Sequence, residues 1–157
     1  MGWAFKTPFI STDKRFEVDG ANAVRSFLLK EGNKSEWSDQ RIQLAWDAIA
    51  LHTTPSIAFF KEPEVMITCL GISADFTGPG RNVFGVGVLA AGVWDEVVKE
   101  FPRGGYREGV KEILCGLCRD KPNTTYDNFV GEFGVKYVEG YSLEGKTFLD
   151  LLAAAHD

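Results

Sequence analysis

The chain has 157 residues, of which 45% are hydrophobic and 25% charged, with a formal net charge of −5 at pH 7. That balance excludes a disordered chain and amounts to a single domain, 1–157, long enough to bury a sizeable core. An acidic surplus argues against a protein that works by neutralising nucleic-acid phosphates or anionic lipid, and leaves a small-molecule site open.

From the N-terminus, Met1 to Ile10 carries a lysine and a proline but no uninterrupted apolar core, so no signal peptide is expected. Phe16, Ala23, Val24, Phe27 and Leu28 then fall at helical spacing, with Gly20 on the same face to allow close approach and Gly32 as a stop. Glu17 and Asp19 are two apart and do not face each other on a helix; by position both read as solvated first-turn acids. Ser38 caps a second helix, whose stripe is Ile42, Ala45, Trp46 and Ile49, and Pro55 is expected to end it.

Pro63 stands near the start of the next helix, whose apolar body runs from Val65 to Phe76 and stops at Gly78-Pro79-Gly80. The glycine-rich stretch Asn82 to Gly92 has no clear period. The longest nearly apolar run, Val83 to Trp94, is too short and too rich in glycine for a membrane span. Val93 to Phe101 and Tyr106 to Arg119 read as helices, the second with the stripe Val110, Ile113, Leu114, Leu117. Thr124 with Asp127 resembles a capping box opening a helix to about Val138, and Ser142 is expected to open the last one. No segment alternates as a strand would, so the fold class is all-α, with six or seven helices buried against one another.

Several motifs invite chemistry. Cys115-Gly116-Leu117-Cys118 closes a helix instead of opening one, the wrong end of the dipole for a redox thiol, and reads as thiols on a packed helix. Three cysteines without an export signal fit a reducing, cytoplasmic setting, in which Asn33-Lys34-Ser35 and Asn123-Thr124-Thr125 are chance glycosylation patterns. Gly85-Val86-Gly87-Val88-Leu89-Ala90 lacks the strand that a dinucleotide loop requires. His156-Asp157 lies at the terminus, a poor place for a rigid metal site. His52 continues the inner face of its helix, and the simplest reading is a core histidine bonded to a backbone carbonyl. Asp75 sits in a run of apolar and small residues; a partner such as Arg81, a turn it caps, or a metal ion would each account for it.

Taken together, Gly2-Trp3-Ala4, the run Asp13-Lys14-Arg15-Phe16-Glu17-Val18-Asp19-Gly20-Ala21-Asn22-Ala23 and the run Trp46-Asp47-Ala48-Ile49-Ala50-Leu51-His52-Thr53-Thr54-Pro55 resemble HD-domain proteins of the cyanamide hydratase type. Gly71-Ile72-Ser73-Ala74-Asp75, Ile113-Leu114-Cys115-Gly116 and Tyr141-Ser142-Leu143-Glu144-Gly145 continue the likeness in collinear order over almost the whole chain. The resemblance implies a helical HD-like bundle that binds zinc or another divalent metal and adds water to a small nitrile such as cyanamide. It also implies that Asp75 is a metal ligand, that His52 is a downstream active-site histidine that orients substrate or shuttles a proton, and that Glu17 is an acidic active-site position. In the family a first His and a His-Asp pair precede a Gly-Trp. Here Met1 precedes Gly2 directly, so the expectation is a chain that starts after that pair, lacks the family's N-terminal helices and three of four ligands, and has little metal-dependent turnover of its own. A catalytically degenerate module that binds a partner or forms a homo-oligomer is the alternative, with no nucleic acid and no membrane involved in either case.

Overall fold

The computed structural model describes residues 9–78 and 91–155. Among these there are eight α-helices, one 3-10 turn and no strand, the all-α class that the sequence predicts. The Gly85–Ala90 motif, Pro79-Gly80, Arg81, Gly2-Trp3-Ala4 and His156-Asp157 lie outside the described residues. No described helix is long and apolar enough to cross a membrane. The chain divides into two compact units, one comprising Met1–Ile10 with Phe16–Arg103 and the other Ser11–Arg15 with Gly104–Asp157.

In the first unit, α1 (Phe16–Glu31) lies along α2 (Asp39–Ala50). Gly20 faces Ile49: a Cβ built on it would stand 3.4 Å from Ile49 Cγ2, at ordinary contact distance. The indole N–H of Trp46 donates to Asn22 Oδ1 at 2.9 Å, and the Arg25 guanidinium lies 4.8 Å over the Trp46 ring. The buried face of α1 differs from the expected one. Ala21 and Leu28 are buried as Glu17 and Asp19 are, while Phe27 is 62% exposed. The inward face of α1 thus combines two acids with Ala21 and Leu28, and the bulky Phe27 is left outside.

Ser38 caps α2 as expected, its side chain accepting from the Arg41 N–H. Pro55 does not end that helix. It opens α3 (Pro55–Ala58), where a missing N–H leaves no hydrogen bond unmade, and α2 has already stopped at Ala50. The turn between them carries His52, Thr53 and Thr54. α4 (Pro63–Thr77) has Pro63 in its first turn and Gly78 at its C-terminus with φ of 77°, a left-handed conformation that favours glycine. Ala48, Ala58, Val65 and Cys69 form the core where α2, α3 and α4 meet, with Leu44, Leu51 and Phe59 around it. α5 (Ala91–Glu100) completes this unit.

The second unit is built on α6 (Tyr106–Asp120), which buries Leu114, Cys115, Gly116, Leu117 and Cys118. All three cysteines of the chain are free and buried. Burial pushes the Cys118 thiol and the Tyr141 phenol up, so both stay protonated near neutrality. Lys121 is buried, and its ammonium donates to the Ser11 carbonyl at 2.9 Å.

Thr124 does not cap a helix. It closes a 3-10 turn, Pro122–Thr124, and its hydroxyl donates to the Lys121 carbonyl. α7 (Val130–Tyr137) begins later, where Asn128 Oδ1 accepts from the Val130 N–H. Ser142 accepts from the Glu144 N–H in a local turn, and it is Thr147, in a reciprocal capping box with Asp150, that opens α8 (Phe148–Ala153). In both misplaced starts a hydroxyl satisfied a nearby turn, as serine and threonine do with similar ease.

Tyr141 closes α7 down. Its hydroxyl bonds to Thr125 Oγ1 at 2.7 Å, and its ring lies so close to Gly134 that an added Cβ would fall 2.5 Å from ring carbons. Gly134→Ala is expected to destabilise the second unit by about 1–3 kcal/mol through overpacking. Gly109→Ala, in an open helical position with nothing within 4 Å, is expected to stabilise it by about 0.5–1 kcal/mol. Urea unfolding of both variants checks the pair, and equal effects would contradict the packing described. A second expectation concerns Asp150, whose carboxyl is held below its usual value of 3.8 by the Thr147 hydroxyl and N–H. The cap is therefore fully formed above 3.8 and lost as pH falls through the lower native value. The Asp150 and Leu151 amide shifts followed by NMR should titrate below 3.8; a midpoint at or above it would contradict this.

Candidate functional site

The turn after α2 gathers polar groups from three helices. Glu17, in the first turn of α1, is 1% exposed, against the expectation of a solvated acid. It tolerates burial because the Thr53 hydroxyl donates to its Oε1 at 2.5 Å, the short range of a hydroxyl–carboxylate bond. Thr53 is adjacent in sequence to His52, and the Phe16 ring meets the His52 ring edge-on, with centroids 5.9 Å apart. The Cys69 thiol of α4 donates to the His52 backbone carbonyl at 3.2 Å, tying the turn to the core. Burial pushes the Cys69 thiol up, a Ser73 hydrogen bond opposing it, so this sulfur is a donor and not a nucleophile.

His52 is half-buried, and its Nδ1 lies 2.6 Å from the Ile49 carbonyl. A carbonyl only accepts, so Nδ1 carries the proton and Nε2 of the neutral ring keeps a lone pair. This is the carbonyl-bonded histidine that its position in the sequence predicts. The same bond is also what a positioned base needs, since it fixes the ring and the tautomer.

Asp75 is placed elsewhere. Six residues beyond Cys69 on α4, it lies about 9 Å further along the axis and about 240° around it. Its side chain is 58% exposed, so the expected buried carboxylate is corrected to a surface one. Its partner is Arg103, whose Nη2 lies 3.3 Å from Asp75 Oδ1 and whose Nη1 donates to the Asp75 backbone carbonyl. The same guanidinium stands 5.9 Å over the Trp94 ring of α5. Asp75 thus anchors the segment after α5 to the end of α4. Spacing alone could not show this, because Arg103 is 28 residues away.

The structure therefore links Glu17, through Thr53, to the turn that carries His52, and leaves Asp75 outside this group. Among the described residues no group of three or more His, Cys, Asp or Glu side chains is placed to hold a metal ion. A divalent ion needs about three protein ligands for a catalytic site, and a lone aspartate paired with arginine does not fit one. The groups that are assembled are an enclosed carboxylate with its hydroxyl donor and an imidazole fixed by a backbone carbonyl. Compared with models of known protein families, with curated proteins and with solved structures, the chain matches none.

The Thr53 contribution can be measured. Thr53→Val removes the hydroxyl beside a buried carboxylate and is expected to lower stability by about 1.5–3 kcal/mol, while Thr53→Ser retains most of it. Denaturant unfolding of the two variants decides, and a Val variant as stable as wild type would mean that Glu17 does not depend on this bond.

Proposed function

We propose that this chain is an HD-like helical protein of the cyanamide hydratase kind that keeps the substrate side of such a site, Glu17, Thr53 and His52, without gripping the metal by itself. The observation that carries the reading is the enclosed Glu17 carboxylate, bonded by Thr53 and next to a histidine of fixed tautomer. Those two positions, 35 residues apart in sequence, are the ones the family resemblance marks as active-site residues. The substrate class is a small polar nitrile or amide. His52 Nε2 accepts a proton from it or from water, and Glu17 accepts a hydrogen bond at its carboxylate. Zinc or a related divalent ion, where bound in the family, supplies activated water. In this chain Asp75, the ligand position the resemblance marks, is engaged by Arg103.

A second reading, a module that works by associating with another chain, is favoured by one feature: large apolar side chains stay open, among them Phe60, just beyond α3, at 88% and Phe148 of α8 at 80% exposure. Zinc titration of the full chain by calorimetry, with NMR titration of cyanamide and urea, tests the first reading. The expected result is no stoichiometric zinc site tighter than about 1 μM and small-molecule shift changes confined to His52, Thr53 and Glu17. Tight stoichiometric zinc overturns the metal part, and shift changes elsewhere or none at all overturn the substrate part.

A further inference from the structure

We infer that α8 is the contact through which two copies of this chain associate, an inference independent of the Glu17–His52 reading. The helix Phe148–Ala153 has six residues, and isolated helices shorter than about 12 residues are marginal in water. Packing normally supplies the difference, yet α8 buries no residue and is not extensively packed against any other described helix. Phe148, Leu149, Leu151 and Leu152 are 80%, 73%, 61% and 59% exposed. At 100° per residue these four fall within an arc of about 160°, with Asp150 opposite. The result is one continuous apolar face on a helix that, among the described residues, is fixed chiefly by its N-terminal cap.

Two properties of this face select a second copy as its occupant. The first is charge. A copy meeting a copy brings −5 towards −5, so their meeting surface has to be free of like charge. The only charged side chain of α8, Asp150, is turned into its own cap, where Oδ2 accepts from both the N–H and the hydroxyl of Thr147. The arc itself is neutral and of one chemistry, so it complements itself across a two-fold axis, as an isologous contact requires. The second is area. At about 150–200 Å² for a large apolar side chain, the four open residues offer roughly 500 Å² per copy. Two copies then cover about 1,000 Å², the lower bound for a specific association. The small residues Ala153, Ala154 and Ala155 follow on and leave room for close approach.

Sedimentation velocity of the full chain over about 1–100 μM tests this. The wild type is expected to pass from monomer to dimer in that range, and the double variant Leu149→Glu with Leu152→Glu to weaken association at least ~100-fold, both positions being open in the monomer. Circular dichroism of the variant should match wild type, which separates lost contact from lost fold. A wild type that stays monomeric throughout overturns the inference, α8 then being covered within its own chain. A double variant that dimerises as wild type does also overturns it, because the contact is then elsewhere.

Discussion

Much of the first unit follows from how closely α1 and α2 approach. Gly20 sits against Ile49, where an added Cβ would come to 3.4 Å, and α1 is rotated so that Ala21 and Leu28 face inward. The same rotation carries Glu17 inside, where a carboxylate is tolerable only with a donor at hand. Thr53 supplies it from the turn beyond α2. A close helix contact thus makes a buried acid, and the buried acid fixes the turn in which His52 stands. The polar cluster is a consequence of packing as much as of any chemical role.

Asp75 and Glu17 exchange the environments that their local sequence suggests. Glu17 stands in a first turn beside another acid, where solvation is the ordinary outcome, and is enclosed. Asp75 stands among apolar and small residues, where enclosure would be the ordinary inference, and is open to water beside Arg103. Hydrophobic context along the chain reports which residues are near in sequence. Which face of a helix turns inward is decided by the helix across from it. An exposed ion pair of this kind contributes little to stability, about 0–1 kcal/mol, and the Asp75–Arg103 contact is better regarded as setting direction for the chain leaving α5.

The legible part of the fold is the part written in periodicity and in stops. The bodies of α2, α4 and α6 lie where their apolar spacing and their prolines and glycines put them, with Ser38 as cap and Gly78 as terminator. Hydroxyl signals were less informative. Thr124 and Ser142 satisfy turns, whereas Thr147, with its acid three residues on, does cap a helix. Pro55 was ambiguous for a plain reason, since the same ring that ends one helix can begin the next. At the site, the carbonyl bond of His52 was legible from its place at the end of α2. The Thr53–Glu17 and Arg103–Asp75 pairings were not, because each joins residues from separate elements and neither leaves a mark on local spacing.

The buried Lys121 holds the carbonyl of Ser11, 110 residues earlier, and so makes the second unit discontinuous along the chain. On a ribosome adding roughly 5–20 residues per second, Ser11 emerges several seconds before its lysine exists. Residues 16–103 of the first unit are synthesised in that interval. The short segment 11–15 must therefore stay unclaimed while its neighbours on the C-terminal side condense, and the second unit can close only after synthesis has passed residue 121. The route of the backbone thus sets the earliest moment at which the two ends of that contact can meet, before α7 and α8 have been made.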